Sequence, residues 1–496
     1  MKLLSTAKFL IALLSSANAL IPLEIKGNRF IKPAVDAKEA GEVFFIMGVD
    51  YQPGGSSDYS SSSNSDVLSD ADACYRDAYV LQELGANTVR IYTVNPDVNH
   101  DKCMSILNDA GIYVMLDVNS PLGGESLNRA DPASTYNSYY LSRVFKVIEA
   151  FKNYPNVIGF FSGNEIINDD ASAKEDPRYI RALQRDMKQY IAAHADRSIP
   201  VGYSAANELD YRGATWQYLQ CNIDGDEDDE SKSDFFGLNT YEWCSGQSDW
   251  ASSGYGTLNN TFQDSAIPLL FSEYGCIAVT PRTFDEVTEG LYSGLINTFS
   301  GGLVYEYSKE SNNYGLVDID SDGDLQFYTD YDNLKSQFED VSLPSISEDD
   351  VADAEIIKCN AKTVKSYFSS FGANFTLPDQ PSEIKDLIKN GVNATNVGKL
   401  VDVSEKYGGY EIELASGGDV ATESAIATFS GYNTYNSQTG VTLSGTKASS
   451  SAAKSTATTS SSSSSSSSKA EGASAGGSAK STGIMFALSL LLTSLL

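Results

Sequence analysis

Short apolar runs alternate along the chain with longer stretches whose apolar residues recur every three to four positions. The runs are Val43–Gly48, Thr88–Val94, Tyr113–Asn119, Val157–Ser162, Ile199–Ser204, Phe235–Trp243, Leu269–Tyr274 and Gly302–Tyr307. Runs of this length with few polar residues predict strands buried on both faces. Helices are predicted between them at Ala71–Leu84, Asp101–Ala110, Tyr136–Phe151, Pro177–Ala195 and Phe284–Phe299. The third shows the helical period in Leu141, Val144, Phe145, Ile148 and Phe151, with Ser134 as its start signal. Eight strands joined by helical crossovers predict an α/β fold, a (β/α)8 TIM barrel spanning residues 20–344. The competing architecture, a doubly wound sheet, is disfavoured because no Gly-x-Gly-x-x-Gly follows the first strand.

The pattern changes after the eighth run. Residues 345–440 mix acidic loops with short alternating segments such as Glu411–Leu414, and are expected to form an accessory module packed on the barrel. Residues 441–472 are rich in Ser and Thr and predict a disordered, O-glycosylated stalk. Residues 1–19 place Lys2 and Lys8 before an apolar run and end in Ala17-Asn18-Ala19, the pattern of a secretory signal peptide. Residues 473–496 join a polar spacer to the apolar tail Ile484–Leu496, which is shorter than a membrane-spanning helix. Small residues, spacer and tail together make a GPI-attachment signal, with Gly472 preferred as the attachment residue over Ser474 and Gly476. A secreted protein held on the outer face of the plasma membrane is expected.

Charge narrows the partners. With 35 Lys and Arg against 66 Asp and Glu, the formal charge is −31, which argues against nucleic acid. A neutral polymer such as a polysaccharide is compatible, and 29 Tyr offer surfaces on which sugar rings stack. Only His100 and His194 are present, so a Ser-His-Asp triad or a His-rich metal site has little to work with; both read as structural. No cofactor and no metal are expected, and the acidic run Asp224–Glu230 reads as a solvated loop. The six cysteines, Cys74, Cys103, Cys221, Cys244, Cys276 and Cys359, are widely spaced and predict three disulfides, with fifteen pairings open. Asn259, Asn374 and Asn393 each begin an Asn-x-Thr sequon.

The chemistry lies in two runs that end alike. Val157–Phe161 leads into Ser162-Gly163-Asn164-Glu165, and Leu269–Phe271 leads into Ser272-Glu273-Tyr274. Two strands each delivering a Glu at the carboxyl end point to a glycosidase carboxylate pair. Retaining cleavage needs one carboxyl as proton donor and one as nucleophile, and the fourth and seventh strands of a barrel face each other across its mouth. On this reasoning Glu165 is the acid/base and Glu273 the nucleophile. The acid is expected to be kept protonated by its charged neighbour. Asn164 is placed to bind a sugar 2-hydroxyl, and Tyr241 or Tyr305 to donate to the nucleophile.

The ordered motifs Gly48-Val-Asp-Tyr-Gln-Pro-Gly54, Arg90-Ile-Tyr-Thr-Val94, Gly163-Asn-Glu165, Asn239-Thr-Tyr-Glu-Trp-Cys244, Ser272-Glu-Tyr-Gly-Cys276 and Val304-Tyr-Glu-Tyr307 resemble the fungal GPI-anchored β-1,3-glucanosyltransferases of glycoside hydrolase family 72. The resemblance implies a retaining transglycosylase that cuts an internal β-1,3-glucan bond and passes the new end to another chain. It implies glucan donor and acceptor chains and a membrane anchor as partners, and a monomer. It places Gln52, Tyr92, Asp117, Asn164, Asn207, Arg212, Tyr241 and Tyr305 in the substrate subsites, with Asn207 standing where many members carry Asp. It implies the pairings Cys74–Cys103, Cys221–Cys359 and Cys244–Cys276. It also implies the shorter subgroup, since only one Cys follows Cys276. An endo-β-1,3-glucanase and a non-catalytic glucan-binding wall protein are the alternatives.

Overall fold

The computed structural model of the chain describes residues 19–418, apart from residue 37 and residues 404–409. Gly472, the stalk, the tail and all but the last residue of the leader lie outside the described residues.

Eight parallel strands close into a barrel. They are β1 (Ile46–Asp50), β2 (Thr88–Ile91), β3 (Tyr113–Asp117), β4 (Val157–Asn164), β5 (Val201–Ala205), β6 (Phe235–Cys244), β7 (Leu269–Cys276) and β8 (Gly301–Val304). Each pairs with the next, and β8 closes onto β1. The apolar run at Val43–Gly48 divides differently from the prediction. Glu42–Phe44 pairs antiparallel with Arg29–Lys32 in a small separate sheet, and the barrel strand starts only at Ile46. An unbroken apolar run carries no periodicity to mark that division.

Two apolar layers result from the alternation of side chains along each strand. The inner layer contains Ile46, Tyr113, Met115, Ile158, Phe161, Phe235, Leu270 and Leu303, joined by Leu20, Leu23, Phe30 and Phe44 from the amino-terminal segment. Phe235 fills the space left by two glycines: a Cβ on Gly202 would come within 2.5 Å of its ring, and one on Gly159 within 2.8 Å. The outer layer packs the strands against the helices and continues into Val364, Phe371, Ile384 and Ile412, so residues beyond 345 share the core around the barrel.

Helices form at Ala71–Leu84, Asp101–Asp109, Ser138–Phe151 and Pro177–His194, close to prediction. The third is capped by Asn137, whose side chain accepts from the Tyr139 and Tyr140 amides, rather than by Ser134. The predicted helix Phe284–Phe299 is replaced by a single wide turn, Val287–Leu291, and irregular turns. Gly290 and Gly294 lie there under Tyr255 and Trp250, packing that leaves no room for a Cβ. The helices Arg212–Gln220, Tyr255–Phe262 and Thr329–Asp340 were not predicted.

The cysteines are paired Cys74–Cys103, Cys221–Cys359 and Cys244–Cys276. The run Asp224–Glu230 is not wholly solvated: Asp229 forms a buried ion pair with Arg181 at 2.6 Å. His100 bonds Asp66 at 2.8 Å, and His194 bonds the Ile388 carbonyl at 2.7 Å. Asn374 and Asn393 are exposed, while Asn259 is half-buried and accepts a hydrogen bond from Thr298.

Candidate active site

The carboxyl ends of the strands carry a layer of polar side chains above the inner apolar core. Asp50, Arg90, Asp117, Asn164, Asn239 and Glu273 come from β1, β2, β3, β4, β6 and β7. The two strands that deliver the glutamates are irregular just before them. The β4–β5 register shifts between Phe161 and Asn164, and the β7 registers with both β6 and β8 shift after Phe271. With Leu270 inward and Phe271 outward, strict alternation would turn Ser272 inward and Glu273 out. A bulge there lets Glu273 face the mouth, the re-aiming for which bulges recur beside active sites. On β4, Glu165 follows the strand end with φ 51°, a left-handed conformation uncommon outside glycine.

Glu273 sits in a ring of donors. Tyr241 donates to Oε2 at 2.7 Å, Tyr92 to Oε1 at 2.9 Å, and Arg90 Nη1 lies 3.4 Å from Oε1. Glu165 accepts from Asn239 Nδ2 at 2.7 Å. Asn239 is oriented in turn by Ser204 and Ser272, both donating to its Oδ1 at 3.0 and 2.8 Å. Burial first, then the charge of Glu165, push the Glu273 carboxyl up to about 7, while Arg90, Tyr241 and Tyr92 oppose the rise. Glu273 is the more deeply buried of the two glutamates.

The other sequence-predicted residues divide into two groups. Asn164 accepts at Oδ1 from Arg90 at 3.0 Å and Asn239 at 3.2 Å, which fixes the amide plane and leaves its NH2 for a ligand. Tyr92, Tyr241, Tyr305 and Tyr314 form a cluster of edge-on rings beside Glu273. Tyr305 accepts from Asn312 at 3.2 Å; the phenols bonded to Glu273 are Tyr92 and Tyr241. Gln52 and Asp117, by contrast, are engaged with protein groups. Gln52 bonds the main chain of Tyr92 and Thr93, and Asp117 holds Arg90. Arg212 pairs with Glu242 at 2.8 Å. Asn207 is half-buried, and its Oδ1 has no partner. Sequence reasoning places Arg90 and Asn239 at polar strand ends that line a cleft and gives neither a specific role.

A cavity of about 1020 Å³ lies at the opposite end of the barrel, lined by Leu23, Arg197, Ile199, Pro200 and Lys232 among others. It contains neither glutamate, so the chemistry is assigned to the carboxyl-end mouth.

Comparison with known proteins gives a consistent set of relatives. The family model described as Glucanosyltransferase, of glycoside hydrolase family 72, matches residues 12–342. The Saccharomyces cerevisiae protein named "Probable 1,3-beta-glucanosyltransferase GAS3" is 63% identical over 396 residues, covering 78% of this chain and 76% of the relative. The Aspergillus fumigatus 1,3-beta-glucanosyltransferase gel2 is 48% identical over 411 residues, covering 82% and 83%. Among solved structures, a Saccharomyces cerevisiae Gas2 variant in complex with laminaritetraose and laminaripentaose superposes with a TM-score of 0.62 at 35% identity, covering 74% of this chain and 76% of that one.

Proposed function

The chain belongs to the glucanosyltransferase family, glycoside hydrolase family 72, and from that premise we propose that it lengthens β-1,3-glucan by retaining transglycosylation. The observation that carries this reading is the unequal solvation of the two carboxyls. Glu273 receives two phenol donors and a guanidinium, whereas Glu165 receives one neutral amide. These donors oppose the burial that raises Glu273 and stabilise its anion as it attacks and departs, so Glu273 is read as the nucleophile and Glu165 as the acid/base.

In the first step a Glu273 oxygen attacks the anomeric carbon. The bond to the leaving O3 breaks, and Glu165 gives that oxygen its proton. A glucosyl ester on Glu273 results. In the second step the 3-hydroxyl at the non-reducing end of another glucan gives its proton to Glu165 and attacks the same carbon, freeing Glu273. Asn164, whose NH2 is left unspent, binds the 2-hydroxyl at the cleavage point. The tyrosine cluster flanks the ring there. Donor and acceptor contacts beyond this point are assigned to Gln52, Asp117, Asn207 and Arg212 only through the family resemblance. Secretion, loss of residues 1–19, a 441–472 stalk and GPI attachment at Gly472 complete the proposal, with a monomer working at the membrane face of the wall.

The test is incubation with a reduced laminarioligosaccharide. Products longer than the substrate are expected; shorter products alone would make the protein an endo-β-1,3-glucanase. A second reading, glucan binding with little turnover, is favoured by Asn207, an amide with an unpartnered oxygen where many members carry a carboxylate. Binding without any product would establish it.

A further inference from the structure

Asp50 is the last residue of β1 and pairs in register with Arg90. It is fully buried, and no close donor reaches either carboxyl oxygen; the Tyr92 phenol is the hydrogen-bonding side chain that acts on it. The groups that face it are the Arg90 guanidinium, the Tyr92 phenol and the carboxyls of Glu273 and Asp117. One cation therefore serves three carboxyls.

Counting donors locates the missing proton. A guanidinium offers five N–H groups. Arg90 directs them to both oxygens of Asp117, to Asn164 Oδ1, to the Ser272 carbonyl and to Glu273. None remains for Asp50. Tyr92 has a single hydroxyl proton and donates it to Glu273. An ionised Asp50 would be a buried anion with no donor, an arrangement that neutralises by taking up a proton. Burial drives its carboxyl well above the usual carboxylate range; Arg90 and a Tyr92 hydrogen bond oppose the rise, and Glu273 adds to it.

We propose that Asp50 is a positioning residue: a neutral carboxylic acid whose O–H donates to the Tyr92 oxygen and so commits the Tyr92 proton to Glu273. This deepens the reading of Glu273 as nucleophile and rests on it. The acid donates to a phenol, and the phenol donates to the carboxylate. The chain keeps Glu273 in its attacking form and stabilises it again as it departs from the sugar. No group outside the barrel mouth is needed.

The experiment compares Asp50→Asn, Asp50→Leu, Tyr92→Phe and the Asp50→Leu/Tyr92→Phe double variant in the full chain with a laminarioligosaccharide. Asn retains a donor and no charge, so kcat stays within about threefold of wild type and the acid limb of the pH profile does not move. Leu removes the donor, and kcat falls by roughly tenfold to a hundredfold with little change in KM. The double variant loses no more than Tyr92→Phe alone, since both act through one phenol. Wild type minus Asp50→Asn shows the infrared carbonyl band of a protonated buried acid near neutral pH. The assignment is overturned if that band is absent, if Asp50→Asn is as slow as Asp50→Leu, if its acid limb moves downward, or if the two losses add. The infrared difference decides the matter even where the Leu variant does not fold. Turnover surviving Glu273→Gln would remove the nucleophile assignment instead, whatever the infrared result.

Discussion

Arg90 grips Asp117 with two parallel hydrogen bonds, Nε to Oδ2 at 2.8 Å and Nη2 to Oδ1 at 3.1 Å, with Arg90 wholly buried. The fork leaves Nη1 aimed at Glu273 and the Ser272 carbonyl and brings Nη2 against Asn164. One side chain thus links the strand of Glu273 to the strand that leads into Glu165.

Arg90→Lys keeps the charge and loses the fork. A lysine ammonium is a point charge with three donors and cannot hold Asp117 and Asn164 in fixed planes together. The expected result is a kcat lower by about 10²–10³-fold, the loss seen when a preorganised donor is removed. KM should change less. Steady-state transfer assays with a defined laminarioligosaccharide check this, and a variant within a factor of two of wild type would show that Asp117 and Asn164 are oriented without the fork.

Glu165→Gln should move the titration of Glu273. The Glu165 charge raises the Glu273 carboxyl, which stands at about 7. Removing that charge favours the anion, so the attacking form persists to lower pH. With an aryl laminarioside, whose leaving group needs no proton, glycosyl-enzyme formation reports Glu273 alone. Its acid limb is expected to shift downward in the variant; an upward shift would mean that Glu165 stabilises rather than opposes the Glu273 charge.

How far these relations were legible in the sequence depends on which interaction sets them. The eight strands and four of the five predicted helices follow from local periodicity, which the barrel does not override. The carboxylate pair follows from two similar strand ends. What stayed hidden is register. The bulges before Asn164 and Glu273 exist only relative to neighbouring strands, and nothing in Phe271-Ser-Glu-Tyr274 alone says that two successive side chains face inward. Gln52 and Asp117, expected to meet sugar, also spend polar atoms on Thr93 and Arg90. The partner of a long polar side chain is a tertiary fact. The failed helix at Phe284–Phe299 has the same origin, since Gly294 lies against a ring more than forty residues earlier, Trp250.

Buried acids outside the site give a stability prediction. Asp176 is fully buried with neither oxygen bonded, and burial chiefly, with Asp169, raises it to about 8. Glu286, also buried with Oε2 unpartnered, is raised by burial to about 8. Each folded-state value lies above the ordinary carboxyl value, so the folded protein binds protons that the unfolded chain has released. The resulting stabilisation is complete below about pH 4 and is lost as pH rises toward 8. Tm is therefore expected to be higher at pH 5 than at pH 8, with Asp176→Asn and Glu286→Gln each flattening the slope. Scanning calorimetry across that range tests it; a Tm rising toward pH 8 in wild type would contradict the assignment.

Cys221–Cys359 ties the carboxyl-terminal segment to the barrel across 138 residues. Its surroundings are locked: Arg181 Nη1 donates to the Tyr218 and Cys221 carbonyls, and its Nη2 pairs with Asp229. Main-chain bonds from Asn222 to Ile357 and from Cys359 to Asn222 run beside the bridge. A loop of this length restricts the unfolded chain strongly, worth about 4–5 kcal/mol in the chain-entropy account. Replacing both cysteines with serine should lower Tm and open residues 345–403 to protease before the barrel unfolds. The carboxylate pair belongs to β4 and β7, which this bridge does not touch, so turnover at low temperature is expected to persist. Loss of turnover at full folding would instead couple the segment to the mouth.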